Sequence, residues 1–198
     1  MAKPILFIDF DGTLCHDRFW RSLPVEQYEK VQEFLFGEDK TLLNDWMRGK
    51  RTAEGVNESV AQHLGIPFQE LWQLFVHDSE NMYVPQEALD TIQALREKFT
   101  TILITVNMDS FSRYTVPALE LDRYFDAISN SYYEGLFKSD VGGEVFRKYL
   151  SKYDAPAEES ILIDDSPSAG EAFSALGGIF LHVSKDKDIA YHLNRISR

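Results

Sequence analysis

The chain has 198 residues, 44% hydrophobic and 26% charged, a composition that fits one globular core with room for an insertion and excludes a disordered chain. A formal net charge of −12 argues against a basic nucleic-acid face and against docking on anionic membranes. The single cysteine, Cys15, rules out an internal disulfide, and the short uncharged run before Asp9 is too brief for a leader or a membrane span, so a cytoplasmic protein is expected.

Residues 5–9, Ile-Leu-Phe-Ile-Asp, form an apolar run ending in an acid; with Pro4 before it and Gly12 after, it reads as a buried strand. Beyond Thr13 the texture turns helical. Val25, Tyr28, Val31 and Phe34 recur at helical spacing over 24–36, and Leu42, Leu43, Trp46 and Met47 make a second face. Ala53, Val56, Val60 and Leu64 make a third, with Thr52 as N-cap. Gly65 and Pro67 break the chain before a fourth face of Phe68, Leu71, Trp72 and Phe75. From Pro85 helices and strands alternate. A helix through Ala88, Leu89, Ile92 and Leu95 precedes a strand at 101–105, and a helix near 112–120 precedes one at 125–129. A helix at 143–152 precedes a strand at 160–164, and one at 168–176 precedes a strand at 179–183. This alternation predicts an α/β fold, a doubly wound parallel sheet. Its core is expected from 1–16 and 83–198, with an inserted all-helical block at 17–82.

In such a sheet, ligands bind beyond the carboxyl ends of the strands. The first strand ends in Asp9-Phe10-Asp11-Gly12-Thr13, the second in Thr105 followed by Asn107, and the 160–164 strand in Asp164-Asp165. Lys138 lies on the loop after the 125–129 strand and can reach the same edge. Each feature alone has a plain reading: Asp-x-Asp-Gly is usually a turn, an Asp-Asp pair a solvated turn or cap, a loop lysine a solvated charge. Together they differ. Four clustered carboxylates cannot all stay ionised without a cation among them, and Mg²⁺, a hard ion that takes oxygen ligands, fits.

The run Asp9-Phe10-Asp11-Gly12-Thr13-Leu14 after an apolar strand resembles the signature of the haloacid dehalogenase (HAD) superfamily. Thr105, Lys138 and Asp164-Asp165 follow in that family's order, and the resemblance covers almost the whole chain. It implies a Rossmann-like core with a helical cap over the site. It implies that Asp9 is the nucleophile of an aspartyl-phosphate route and that Asp11 serves as general acid, then base. Mg²⁺ would be held by Asp9, the backbone carbonyl of Asp11 and Asp165, with Asp164 close by. Thr105 and Lys138, with Asn107 beside them, would bind the phosphoryl oxygens, and Lys138 would also keep Asp9 ionised. Asp11 further implies phosphate-ester chemistry: dehalogenases expel a halide that needs no proton, and their branch lacks the second acid. The chain departs from close relatives at Ser139, where proline is usual, and in the Ser-Pro-Ser-Ala-Gly-Glu-Ala run after Asp165, which lacks their Asn or Asp.

Within the insertion, Arg48-Gly49-Lys50-Arg51 is the densest basic run of an acidic chain. It falls between two expected helices, where relatives such as beta-phosphoglucomutase place a substrate-selecting loop; a solvated basic turn is the competing reading. Lys50, Arg51 and Arg18 are therefore candidate substrate contacts, and Trp20 is expected near Arg18 at the entrance. Trp46 and Trp72 read as core, Cys15 as a packed residue, and the histidines show no metal spacing. The expected function is a Mg²⁺-dependent phosphatase of a small phosphorylated metabolite, with neither nucleic acid nor membrane as partner. The alternatives are a phosphomutase of the beta-phosphoglucomutase type, which would use the same residues, and a non-catalytic binding module.

Overall fold

The computed structural model describes residues 3–197; residues 1, 2 and 198 of the expected core lie outside the described residues. Five strands, β1 (Ile5–Ile8), β2 (Thr100–Thr105), β3 (Ala127–Asn130), β4 (Ile161–Asp164) and β5 (Ile179–His182), form one parallel sheet in the order β3-β2-β1-β4-β5. Every residue of β1 is fully buried, and its side chains alternate between two cores. Ile5 and Phe7 join α8 (Glu144–Lys152) and α9 (Pro167–Ala175), where the Phe7 ring meets Phe146, Tyr149 and Phe173 edge-on. Leu6 and Ile8 join the opposite core with α5 (Gln86–Leu95) and α10 (Ile189–Ile196). That two-sided burial is why the strand reads as a continuous apolar run.

Between β1 and β2 stand α1 (Val25–Phe36), α2 (Thr41–Met47), α3 (Ala53–Leu64) and α4 (Phe68–Glu80). The third starts where its cap residue predicts: Thr52 Oγ1 accepts from Gly55 N at 3.3 Å. The four helices close around Trp20, Trp46 and Phe75, all fully buried. Their core runs on without a break into Leu103, Phe111 and Leu121 of the sheet domain.

Two expectations needed adjusting. The strand expected at 125–129 is shifted, because Asp126 turns its carboxylate back onto Thr101 N, at 2.9 Å, before pairing with β2 begins. The helix near 112–120 is a π turn at Phe111–Thr115 followed by α6 (Val116–Ala118). Pro117 cannot donate to a carbonyl one turn back, and the widened turn accommodates that missing bond. A four-residue helix, α7 (Ser131–Glu134), follows β3 and is capped by the Asn130 side chain.

Candidate active site

β1 and β4 are adjacent, so Asp9 and Asp164 end side by side at the carboxyl edge of the sheet. Asp9 N donates to Ile163 O at 3.0 Å, which fixes the first acid against the neighbouring strand. Lys138, buried on the segment after α7, bridges the two carboxylates: its Nζ lies 2.8 Å from Asp9 Oδ1 and 2.6 Å from Asp164 Oδ2. Asp164 Oδ1 in turn accepts from Ser166 N at 2.8 Å. Asp165 is the exposed member, with its backbone carbonyl 3.1 Å from His182 Nε2.

The turn after β1 is shaped to let these acids approach. Phe10 O accepts from both Leu14 N and Cys15 N at 2.9 Å, which folds the chain back on itself. Gly12 has φ +80°, and a Cβ there would lie 2.3 Å from Asp165 Oδ2. Asp11 projects to the other side of the turn, where Asn107 Nδ2 donates to its Oδ2 at 2.6 Å. Asn107 is itself locked, since Met108 N donates to its Oδ1 at 3.0 Å and Ser131 Oγ accepts from its N at 3.0 Å. The same Ser131 Oγ donates to Met47 O at 2.7 Å, which ties the site to the helical block. Thr105 is buried, with its Oγ1 3.5 Å from Asn107 Nδ2.

Burial pushes the Asp9 carboxyl up to about 8; Lys138 pulls it down, but not enough to offset burial and the neighbouring Asp164. Lys138 thus favours the ionised form of Asp9, while burial and Asp164 oppose it. Lys138 itself stays charged: burial works against the ammonium, but Asp9 and Asp164 hold it above the ordinary lysine value. Burial raises Asp11 to about 6, against the pull of Arg18 and Lys138. Asp165 is also raised, first by burial and then by Asp164. Lys138 is an ammonium in contact with Asp9 and Asp164, and the negative charge left over in the cluster suits a further cation. Asp9, Asp164 and Asp165 can each offer a carboxylate oxygen, all within 4.8 Å of one another, and this all-oxygen donor set matches a hard divalent ion.

Above the acids a cavity of about 300 Å³ is lined by Asp11, Arg18, Asp165, Phe19, Phe36, Met47, Val106 and Met108. The structure thus brings Arg18 to the acids but not Lys50 or Arg51, which are absent from this lining. Lys50 turns outward to Asp45, at 2.9 Å, and Arg51 is exposed. The basic run splits at Gly49, where a Cβ would lie 2.4 Å from Tyr132 O, and Arg48 turns toward the sheet domain. Arg48 pairs with Asp140 at 2.6 Å and lies 3.8 Å over the Phe137 ring, as a strut between α2 and the Lys138 loop. Trp20, expected at the entrance, is fully buried and donates from Nε1 to Asn57 Oδ1 at 2.9 Å. Sequence reasoning missed Asp109. Its buried carboxylate accepts from Trp46 Nε1 at 2.7 Å, from Ala53 N at 3.3 Å and from Arg113 at 3.0 Å, and so clamps the helical block onto the sheet domain. A second cavity, of about 290 Å³ between α5 and α10, holds none of the clustered acids.

The family model for haloacid dehalogenase-like hydrolases matches residues 4–177. Among solved structures, the fold is similar to a HAD family enzyme of Bacteroides thetaiotaomicron in complex with magnesium and inorganic phosphate. The two share 20% identity over 94% of this chain and 97% of that one, with a TM-score of 0.74. It is similar also to a predicted HAD-like hydrolase of Porphyromonas gingivalis, at 17% identity over 100% and 99% of the chains, with a TM-score of 0.74. A 2-haloacid dehalogenase of Pseudomonas syringae pv. Tomato shares 20% identity over 92% of this chain and 86% of that one, with a TM-score of 0.61. No curated protein matches the sequence.

Proposed function

The chain belongs to the haloacid dehalogenase-like hydrolases, and from that premise we propose that it is a Mg²⁺-dependent phosphatase of a small phosphorylated metabolite. The observation that carries this reading is Asp11. A carboxyl aimed by Asn107 at 2.6 Å, with its pKa raised to about 6, is a proton donor near neutrality. A leaving alkoxide needs such a proton; a leaving halide does not. The relative crystallised with magnesium and inorganic phosphate is consistent with the same chemistry.

In the proposed route, Asp9 attacks phosphorus, the bond from phosphorus to the leaving oxygen breaks, and the Asp11 proton passes to that oxygen. A water then attacks the aspartyl-phosphate while Asp11 takes back a proton, which releases phosphate and restores the Asp9 carboxylate. Lys138 and Thr105 bind phosphoryl oxygens as charge develops on them, with Asn107 aiming Asp11. Bound by Asp9 and Asp165, with Asp164 alongside, Mg²⁺ would screen the repulsion between the Asp9 carboxylate and an incoming phosphate. The helical block serves as a cap that excludes water from the cavity.

Phosphate release from para-nitrophenyl phosphate tests this reading. It is expected with Mg²⁺ and should stop in EDTA. Full activity in excess chelator contradicts the metal assignment, and isomerisation of an ester without net phosphate release contradicts the hydrolase in favour of a mutase.

A further inference from the structure

Arg18 stands apart from several other arginines of the chain. Arg21, Arg48, Arg96 and Arg113 each form an ion pair with an acid of this chain. Among the described residues no carboxylate pairs with Arg18. Its side-chain hydrogen bond goes to the neighbouring Asp17 carbonyl, at 3.1 Å, which leaves most of a five-donor guanidinium free. It lines the same cavity as Asp11 and Asp165, and its charge is felt by both carboxyls, opposing the rise that burial imposes on each.

The cavity lies on the leaving-group side of the acids. It is lined by Asp11, the proposed proton donor, while Asp9, Thr105 and Lys138 lie buried beneath and do not line it. Its remaining walls are Phe19, Phe36, Met47, Val106 and Met108, with no side-chain hydrogen-bonding group among them. A polyhydroxylated leaving group such as a sugar would strand its hydroxyls against these walls. An apolar ring would not, and about 300 Å³ is the small end of ligand sites, enough for one ring and a substituent. In the proposed route Lys138 and Thr105 hold the phosphate, so the exposed guanidinium of Arg18, with no carboxylate paired to it, is placed to take a second anion at this rim.

We propose that the substrate's leaving group is an apolar, ring-sized body carrying an anionic group, a carboxylate or second phosphate, that pairs with Arg18. This rests on the phosphatase reading for its use in catalysis, but binding can be measured without it.

The test compares 4-carboxyphenyl phosphate, its neutral carboxamide and 1,4-phenylene bisphosphate as substrates of wild type, Arg18→Gln and Arg18→Lys. In wild type, kcat/KM for the carboxylate should exceed that for the carboxamide by about tenfold or more, as expected for one charge-assisted hydrogen bond. The carboxamide is the better leaving group, so chemistry alone biases against this result. In Arg18→Gln the ratio should collapse to about one, while Arg18→Lys keeps part of it. The bisphosphate arm assigns the anion as phosphate if it outperforms the carboxylate. Ligand-observed NMR with 4-hydroxybenzoate and 4-hydroxybenzamide reads the same preference with no phosphoryl transfer. A carboxylate preference in binding without hydrolysis of any ester overturns the phosphatase reading and leaves the pocket assignment standing. Equal kcat/KM for carboxylate and carboxamide in wild type, or a preference that survives Arg18→Gln, overturns the pocket assignment.

Discussion

At Gly12 the backbone and the acid cluster constrain each other. Its φ of +80° is strained for any side chain, and a methyl group would collide with Asp165 Oδ2. Gly12→Ala is therefore expected to cost about 1–3 kcal/mol of stability and to displace a proposed metal ligand. Thermal melting of the variant should show both a lower Tm and a weaker response to Mg²⁺; an unchanged Mg²⁺ response would separate Asp165 from the metal. Asp9 and Asp11 were legible from the chain because a strand, an acid and a tight turn occur within nine residues. Asp109 was not: its neighbour in sequence, Arg113, reads as an ordinary i,i+4 pair, and the contacts that make it a clamp come from Trp46 and Ala53, more than fifty residues away. The same limit hid the role of Arg48, whose charge reads like that of Lys50 until Asp140 and Phe137 are folded against it.

Elements were legible where they bury a whole face. The four inserted helices and β1, β2 and β4 follow their hydrophobic periods closely. Legibility failed where a local bond overrode the period: Asp126 delays β3, and Pro117 widens the turn ahead of α6. The helix α10, short and polar on one side, was not singled out at all. Asp126 also yields a pH prediction. Burial raises its carboxyl, but Arg96 at 2.6 Å and Thr101 N at 2.9 Å hold it below the ordinary value. A depressed folded pKa gives stability that is present above the unfolded value, about 3.9, and lost as pH falls below it. Asp126→Asn should thus cost about 1 kcal/mol at neutral pH, with the gap to wild type narrowing in urea titrations below about pH 4. The Asp109 clamp predicts a different failure. Asp109→Ala orphans Trp46 Nε1 and Ala53 N, so α2 and α3 should lose amide protection against hydrogen exchange before the sheet does. Uniform loss across the fold would mean that the clamp is not what holds the helical block.

The whole molecule combines a net charge of −12 with a sheet edge where three carboxylates, two buried and one exposed, could share one ion. A ligand that binds only the folded state stabilises it by mass action, about 2.7 kcal/mol at a hundredfold excess over Kd. Mg²⁺ should therefore raise Tm by several degrees in wild type and by far less in Asp165→Ala, with Asp164→Ala in between; equal shifts in all three would place the ion elsewhere. The central claim, covalent catalysis by Asp9, is tested most directly by the mass of the intact chain. Asp11→Asn keeps the proposed nucleophile but lacks the proton donor and the base for hydrolysis. An aryl phosphate, whose leaving oxygen needs little protonation, should load the variant, and the phosphoryl-enzyme should then persist. Rapid quench followed by intact mass measurement is predicted to show one added phosphoryl group, and peptide mapping to place it on Asp9. A phosphoryl group on any other residue, or wild-type turnover by Asp9→Asn, would contradict the account.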